Sequence, residues 1–166
     1  MGIARPHKLS RADDRSSFIS GAEDLDEWLR EYAWQNQQGN TATTYVTTVE
    51  SRVVGYYAIA MSAYAREEVP RPIARGAPRQ VPCILLARLA IDRELQGQGW
   101  GADLLRDALL RAVGLSGSIG AAAVLVHCRD ESAREFYLRH AEFLPSPVDD
   151  MHLLLPMKVL RRYVEE

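Results

Sequence analysis

The 166-residue sequence is poor in cysteine and histidine, and it contains no long apolar run. Its two cysteines, Cys83 and Cys128, lie in apolar, strand-like runs without metal-ligand spacing, so we expect buried, reduced thiols rather than a disulfide or a zinc site. The four histidines form no HxxxH-type pair, and we expect no metal. No stretch reaches the roughly 18 uninterrupted apolar residues of a membrane span, and the first residues are polar, so we expect a cytosolic protein.

Length and hydrophobic content indicate one domain over residues 1–166 with a substantial core, since 47% of the residues are hydrophobic. The net charge of −2 does not indicate a nucleic-acid binder, but the charge is uneven. Residues 66–88 contain two acidic residues and five arginines, which are Arg66, Arg71, Arg75, Arg79 and Arg88. Two interpretations stay open, namely a loop that arginine makes soluble and a surface for an anionic macromolecule.

The hydrophobic pattern alternates between helix and strand. It predicts an amphipathic helix over 24–37 that ends at Gly39-Asn40, and then a β-hairpin of TTYVTTV and RVVGYYAIAMSAY. Four prolines make 65–82 a surface loop without a regular element. The remaining elements are a strand over 83–91, a helix from Gln96 to about Val113, a strand over 122–128, a helix over 131–140 capped by Asp130, and a strand that Pro156 ends before a frayed terminal turn. This order predicts an α/β fold, a mixed sheet with helices on its faces.

The stretch LQGQGWGADLL, residues 95–105, places three glycines just before an apolar helical pattern. Such a helix start suits a phosphate group. A Walker A loop is excluded because no lysine or serine stands at the required offset. The dinucleotide pattern matches at Gly97, Gly99 and Ala102, but charged residues separate it from the strand and the later ribose-binding acid is missing. A glycine-rich turn without a ligand stays open, beside the R/Q-x-x-G-x-G/A loop that Gln96, Gly99 and Gly101 match.

That loop resembles the acetyl-CoA loop of the GNAT superfamily of N-acetyltransferases. Nearly the whole chain is similar to the TacT-like GNAT toxins of toxin–antitoxin modules, in FISGAEDLDEWL, TTYV, VVGYYAI, RLAID, LLRDAL, EFYL and PSPVDDMHLLLP. The resemblance implies a central, mostly antiparallel sheet with splayed strands. It implies transfer of acetyl from acetyl-CoA to the α-amino group of aminoacyl-tRNA, which blocks translation. It also implies a homodimer and a ribbon-helix-helix antitoxin, whose complex with the toxin binds operator DNA.

The resemblance also implies roles for particular residues. The strand before the loop offers a backbone N–H to the thioester carbonyl, the loop binds the pyrophosphate, and Asp130 stands where the superfamily often has asparagine. The acetyl-CoA-binding residues so implied are Leu89, Ala90, Ile91, Gln96, Gly97, Gln98, Gly99, Trp100, Gly101, Ala102 and Asp130. The sequence departs from the pattern at Asp130, at bulky Trp100 and in the HAEF stretch after Tyr137.

Tyr137 is the candidate general acid, since an ordinary tyrosine is protonated at neutral pH and can supply a proton to the leaving thiolate. A core aromatic at helical spacing is the competing interpretation. No general base stands out, which suits an α-amino acceptor because that amine is partly neutral near pH 7. Arg75, Arg79 and Arg88 are the candidates for tRNA phosphates, although an acidic antitoxin tail would suit the same surface. Two other functions stay open: acetylation of a small amine or a protein N-terminus, and a non-catalytic acetyl-CoA-binding regulator.

Overall fold

A computed structural model of the protein describes residues 2–165. The chain divides into two compact units. Unit 1 consists of Met1–Ala60 and Ala87–Ala108, and unit 2 of Met61–Leu86 and Leu109–Glu166. Within residues 2–165, no helix is both long enough and apolar enough to cross a membrane.

The described residues form seven strands and six α-helices. The strands are β1 His7–Lys8, β2 Thr43–Val49, β3 Arg52–Ala65, β4 Gln80–Ile91, β5 Ala123–His127, β6 Leu144–Pro145 and β7 His152–Pro156. The α-helices are α1 Glu23–Glu27, α2 Ala33–Gln38, α3 Arg71–Ala74, α4 Trp100–Ser116, α5 Glu131–His140 and α6 Met157–Glu165. A π-helical turn, Trp28–Tyr32, joins α1 to α2, and 3₁₀ turns cover Arg66–Glu68 and Arg93–Leu95.

Unit 1 contains the predicted β-hairpin. β2 and β3 pair antiparallel from Thr43↔Ile59 to Val49↔Arg52, and β1 pairs antiparallel with β2. Glu50 and Ser51, which join the strands, have φ angles of 49° and 71°, the left-handed values that match the twist of a two-residue hairpin. The end of β4 lies against β3, because a Cβ atom on Gly55 would stand 2.8 Å from Cδ1 of Ile91. The hairpin prediction is confirmed.

The helical segment of unit 1 covers Glu23–Gln38, close to the predicted 24–37, but its central turn is π-helical. Its buried side packs Leu29 against Phe18, Val46 and Tyr56. The hydroxyl of Tyr56 donates a 2.7 Å hydrogen bond to the carbonyl of Leu25. The segment ends at Gly39, and Asn40 adopts a φ of 59°, as the turn residues in the sequence indicate.

Unit 2 contains the remaining strand pairs. β4 and β5 are parallel, with register from Cys83↔Ala123 to Leu85↔Leu125, whereas β7 pairs antiparallel with both β5 and β6. The β4–β5 register ends at Leu85, although β4 continues to Ile91. Together with the antiparallel pairs of unit 1, these pairings confirm the expected mixed, mostly antiparallel α/β arrangement.

Three local predictions were wrong. The proline-rich stretch contains the short helix α3, because Pro72 stands in its first turn, where a proline costs no backbone hydrogen bond. The long helix begins at Trp100 rather than Gln96, since Gly97 and Gly99 have left-handed φ angles. The terminal turn is the helix α6, which buries Met157 and Leu160 one turn apart.

The two cysteines differ in burial. Both are free thiols, but only Cys83 is buried as expected, while Cys128 is half-buried just after the end of β5. Burial raises the pKa of each thiol to about 11. Both therefore stay protonated at neutral pH.

Candidate active site

The glycine stretch forms an open turn in front of α4, within unit 1. Gly97 and Gly99 have φ angles of 81° and 87°, and a Cβ atom on either would meet nothing within 4 Å. The N–H of Asp103 donates to the carbonyl of Gly99 at 3.2 Å, and the N–H groups of residues 100–102 precede that bond. They have no acceptor within the helix and lie at its positive end. The turn thus has the backbone geometry of an anion site.

Side-chain hydrogen bonds hold this turn in place. The side-chain amide of Gln96 donates to the carbonyl of Ser20 at 2.6 Å and to that of Ile91 at 2.8 Å. Buried Asp92 accepts from the backbone N–H of Ile19 at 3.2 Å and of Glu94 at 3.1 Å. Gln96 therefore acts as an anchor between the turn, the end of β4 and residues 19–20. Its acceptors could not be deduced from the sequence, because one of them is 76 residues away.

The end of β4 carries the residues expected to face the thioester. Ala90 and Ile91 are buried, and Leu89 is half-buried. Arg88 places its guanidinium 4.3 Å from the ring centroid of Trp28, a cation–π contact. Arg88 is thus half-buried against an aromatic ring in unit 1, whereas the sequence indicated only a charge available for phosphate.

A cavity of about 200 Å³ lies beside the glycine turn in unit 1. Its lining residues are Ile3, Ala4, Arg5, Pro6, Thr47, Ile91, Leu95, Trp100, Asp103 and Leu104. The first residues of the chain form one wall, which no sequence motif indicated. Trp100, bulkier than the aliphatic residue common there in the superfamily, is accommodated at this cavity.

Tyr137 lies on α5, within unit 2, and is 6% exposed. Its ring contacts Phe136 and Phe143 edge-on, with centroids 5.3 and 5.7 Å away. Burial, followed by the neighbouring Cys128 thiol, raises the pKa of Tyr137 above its ordinary value, so the phenol is protonated at neutral pH. These surroundings fit both sequence interpretations, a core aromatic and a proton donor.

Asp130 caps the helix that carries Tyr137, as predicted. One carboxylate oxygen accepts the backbone N–H of Ala133 at 2.8 Å, and the other pairs with Arg129, also at 2.8 Å. Both oxygens are therefore engaged in local contacts. The geometry supports a role in fixing the start of α5.

The arginine-rich stretch Arg66–Arg79, named here the basic segment, lies in unit 2. Arg75 and Arg79 are exposed, as the sequence predicted. Arg66, Arg71 and Arg75 line an open pocket of about 500 Å³ together with Glu67 and Ala74. Arg71 and Arg75 come together because they are four residues apart on and just after α3, a helix that the sequence did not predict.

The predicted site residues thus fall into two groups. Residues 88–91 and 96–102 belong to unit 1, whereas Arg75, Arg79, Asp130 and Tyr137 belong to unit 2. In the described part of the chain, no three His, Cys, Asp or Glu side chains come together as a metal site would need.

Comparison with known proteins identifies a matching domain family and several similar proteins. Residues 40–140 match the acetyltransferase (GNAT) domain family. A tRNA-acetylating toxin from Mycobacterium tuberculosis is 44% identical over 163 residues, which cover 98% of this chain and 98% of that protein. The solved structure of AtaT complexed with acetyl-methionyl-tRNAfMet has a TM-score of 0.89 at 27% identity, covering 98% of this chain and 99% of that one. A tyrosine mutant of AtaT, bound to the C-terminus of the antitoxin AtaR and acetyl-CoA, has a TM-score of 0.84 at 26% identity and 100% coverage of both chains.

Proposed function

The chain belongs to the acetyltransferase (GNAT) family, and from that membership we propose that it transfers acetyl from acetyl-CoA to the α-amino group of aminoacyl-tRNA and so blocks translation. The observation that carries this proposal is the 44% identity to a tRNA-acetylating toxin over 98% of both chains. The likeness to AtaT in complex with acetyl-methionyl-tRNAfMet supports the same acceptor. We place the protein in the cytoplasm, where that acceptor occurs. We also propose that the chain works as one acetyltransferase domain, because the matched residues 40–140 include parts of both units.

The glycine turn fits the pyrophosphate of acetyl-CoA, since its open left-handed glycines leave space in front of the N-terminus of α4. When bound, acetyl-CoA supplies the thioester that the amine attacks. We assign the pyrophosphate to the backbone of residues 96–102, with Gln96 as the anchor of that turn. We assign the carbonyl oxygen to a backbone N–H of Leu89, Ala90 or Ile91, which would stabilise the negative charge that develops there.

Tyr137 donates its phenolic proton to the departing thiolate in this proposal. Its raised pKa keeps the proton available across the neutral range. Asp130 contributes by capping the helix that positions Tyr137.

The basic segment holds the phosphates of the tRNA in this proposal. Arg75 and Arg79 are exposed, and Arg66 and Arg71 add to the same positive surface. Arg88 is assigned to the acceptor end, since a guanidinium stacked on an indole still presents N–H groups at its edge.

An antitoxin restrains the toxin in this proposal, and the AtaR complex supports such a partner. The ribbon-helix-helix class of that antitoxin, operator binding by the complex and a homodimeric toxin come from the family resemblance. Acidic antitoxin residues that cover the basic segment would inhibit by blocking tRNA.

The test is incubation of the protein with acetyl-CoA and total charged tRNA, followed by mass spectrometry of the aminoacyl adenosine. We expect an acetyl group on the α-amino group, and none on uncharged tRNA as the control. Acetylation of small amines or protein N-termini, with charged tRNA untouched, would overturn the proposal in favour of another acetyltransferase. Binding of acetyl-CoA without any turnover would overturn it in favour of a regulator.

A further inference from the structure

Two histidines stack at one end of β5 in unit 2. His127 ends β5 and faces His152, the first residue of β7, and their ring centroids are 4.1 Å apart at an interplanar angle of 24°. The hydroxyl of Tyr64 lies 2.8 Å from Nδ1 of His152, and a carboxylate oxygen of Asp149 lies 3.5 Å from Nε2. His152 is therefore held on both ring nitrogens. His127, stacked on it, is only partly buried and remains exposed to solvent.

The histidine pair lies on the face of unit 2 that carries the basic segment. Side chains alternate along a strand, so His127 shares a face with Leu125. Leu125 belongs to the hydrophobic cluster that contains Val69 and Ile73 of the basic segment, with Tyr64 packed against it. An acceptor whose phosphates bind the basic segment would approach β5 from this face.

The proposed acid lies next to the same strand end. Cys128 follows His127 directly and is close enough to Tyr137 to contribute, after burial, to the raised pKa of the phenol. The end of β5 therefore places His127 one residue from a neighbour of Tyr137.

The surroundings of His127 favour its neutral form. Partial burial, followed by the charge of His152, lowers the pKa of His127, and Asp149 opposes this effect. The ionisable groups around the pair are Tyr64 from β3, Asp149 from the turn before β7, and the two histidines themselves. A histidine that is neutral at pH 7 can accept a proton.

We propose that His127 is the proton acceptor for the α-ammonium group of the acceptor substrate, and that His152 is the positioning residue that holds its ring. This inference rests on the proposed function. The ammonium N–H bond breaks and its proton passes to a ring nitrogen of His127. The neutral amine then forms the amide bond as the carbon–sulfur bond breaks, Tyr137 gives its proton to the thiolate, and the second proton lost by the amine restores the phenol. The proton on His127 leaves to water, which balances the reaction.

The test is the pH dependence of kcat/KM for charged tRNA in His127→Gln. Without a proton acceptor, only substrate that is already neutral reacts, so the acid limb should move from below about 6.5 to the pKa of a peptide α-amine, about 7.7–8.0. At pH 6.5 the variant should be slower by about 10-fold, and at pH 9 it should approach the wild-type rate. His140→Gln, an exposed histidine on α5, is the matched control and should keep the wild-type profile.

His152→Gln and Tyr64→Phe test the positioning role. Both variants should shift the acid limb of the pH profile of kcat/KM, and they should shift the NMR titration midpoint of His127. Acetyl-CoA affinity should stay unchanged. Equal profiles for His127→Gln and an active wild type would overturn this inference alone. A wild type that fails on charged tRNA but acetylates other amines would instead overturn the proposed function.

Discussion

Gly99 offers a substitution whose cost follows from its geometry. Its φ angle is 87° and a Cβ atom there meets nothing within 4 Å, so Gly99→Ala introduces backbone strain without a clash. That strain is about 1 kcal/mol, which lowers Tm by about 2–4 °C in a chain of this size. Relaxation of the strain would turn N–H groups away from the phosphate. Loss of one such charge-assisted bond, about 1.5 kcal/mol, would raise the Kd for acetyl-CoA about 10-fold.

Gly99→Asp distinguishes the effect of backbone strain on stability from the effect of a negative charge on acetyl-CoA binding. Aspartate enters the left-handed region more readily than alanine, so this variant should lose less stability than Gly99→Ala. Its carboxylate would stand at the phosphate position, where like charges about 4 Å apart repel by about 4 kcal/mol at an effective dielectric constant near 20, before screening. The Kd should therefore rise about 100-fold or more. The two variants should rank in opposite orders for stability and for binding.

Gly76 provides the matched control. It lies in the basic segment with a φ angle of 76°, and a Cβ atom there also meets nothing within 4 Å. Gly76→Ala should lose as much stability as Gly99→Ala in a thermal melt and bind acetyl-CoA normally by calorimetry. Normal acetyl-CoA binding by folded Gly99→Asp, or a loss of acetyl-CoA affinity in Gly76→Ala equal to that in Gly99→Ala, would refute the assignment of the phosphate site.

Three other variants and one control test the remaining assignments. Tyr137→Phe should keep its acetyl-CoA affinity and lose about 100-fold in turnover, and a wild-type rate on charged tRNA would make Tyr137 a packing residue. Arg75→Glu combined with Arg79→Glu should weaken tRNA binding measured across a salt series, whereas unchanged binding would move the tRNA surface elsewhere. Gln96→Ala should raise the Kd for acetyl-CoA about 10-fold by calorimetry, because the two hydrogen bonds that join the turn to Ser20 and Ile91 are lost. Gln98→Ala, which removes only a 3.4 Å bond, should not, and equal affinities would contradict the anchoring role.

Features with local causes were readable from the sequence. The hairpin turn at Glu50-Ser51 and the cap at Asp130 depend on neighbouring residues, and both were predicted. The two-residue strands β1 and β6 were missed, because each is too short to show a periodic pattern and exists only by pairing with another strand. The helix α6 was missed for a related reason, since its stability comes from packing its buried side rather than from propensity.

In the candidate site, too, the features with local causes were predictable and the contacts between distant residues were not. The glycines before α4 were recognisable because left-handed backbone favours glycine, whatever the rest of the fold does. The contact of Arg88 with Trp28 and the stacking of His127 on His152 join residues far apart in the chain, and no spacing rule predicts them. For this reason no general base stood out in the sequence, although the proposed one, His127, lies in a predicted strand.

Burial explains why a tyrosine would donate the proton and a histidine would accept one. Burial penalises the charged form of every group, so it raises the pKa of Tyr137 and lowers that of His127, leaving both neutral at pH 7. A neutral phenol still has a proton to give, whereas a neutral imidazole has a free lone pair. The high pKa of Tyr137 does not prevent donation, because the leaving thiolate would be desolvated too. Burial raises the thiol pKa of Cys128, beside Tyr137, to about 11, so a thiolate released in such surroundings would be a stronger base than in water, which makes proton transfer from the phenol less unfavourable.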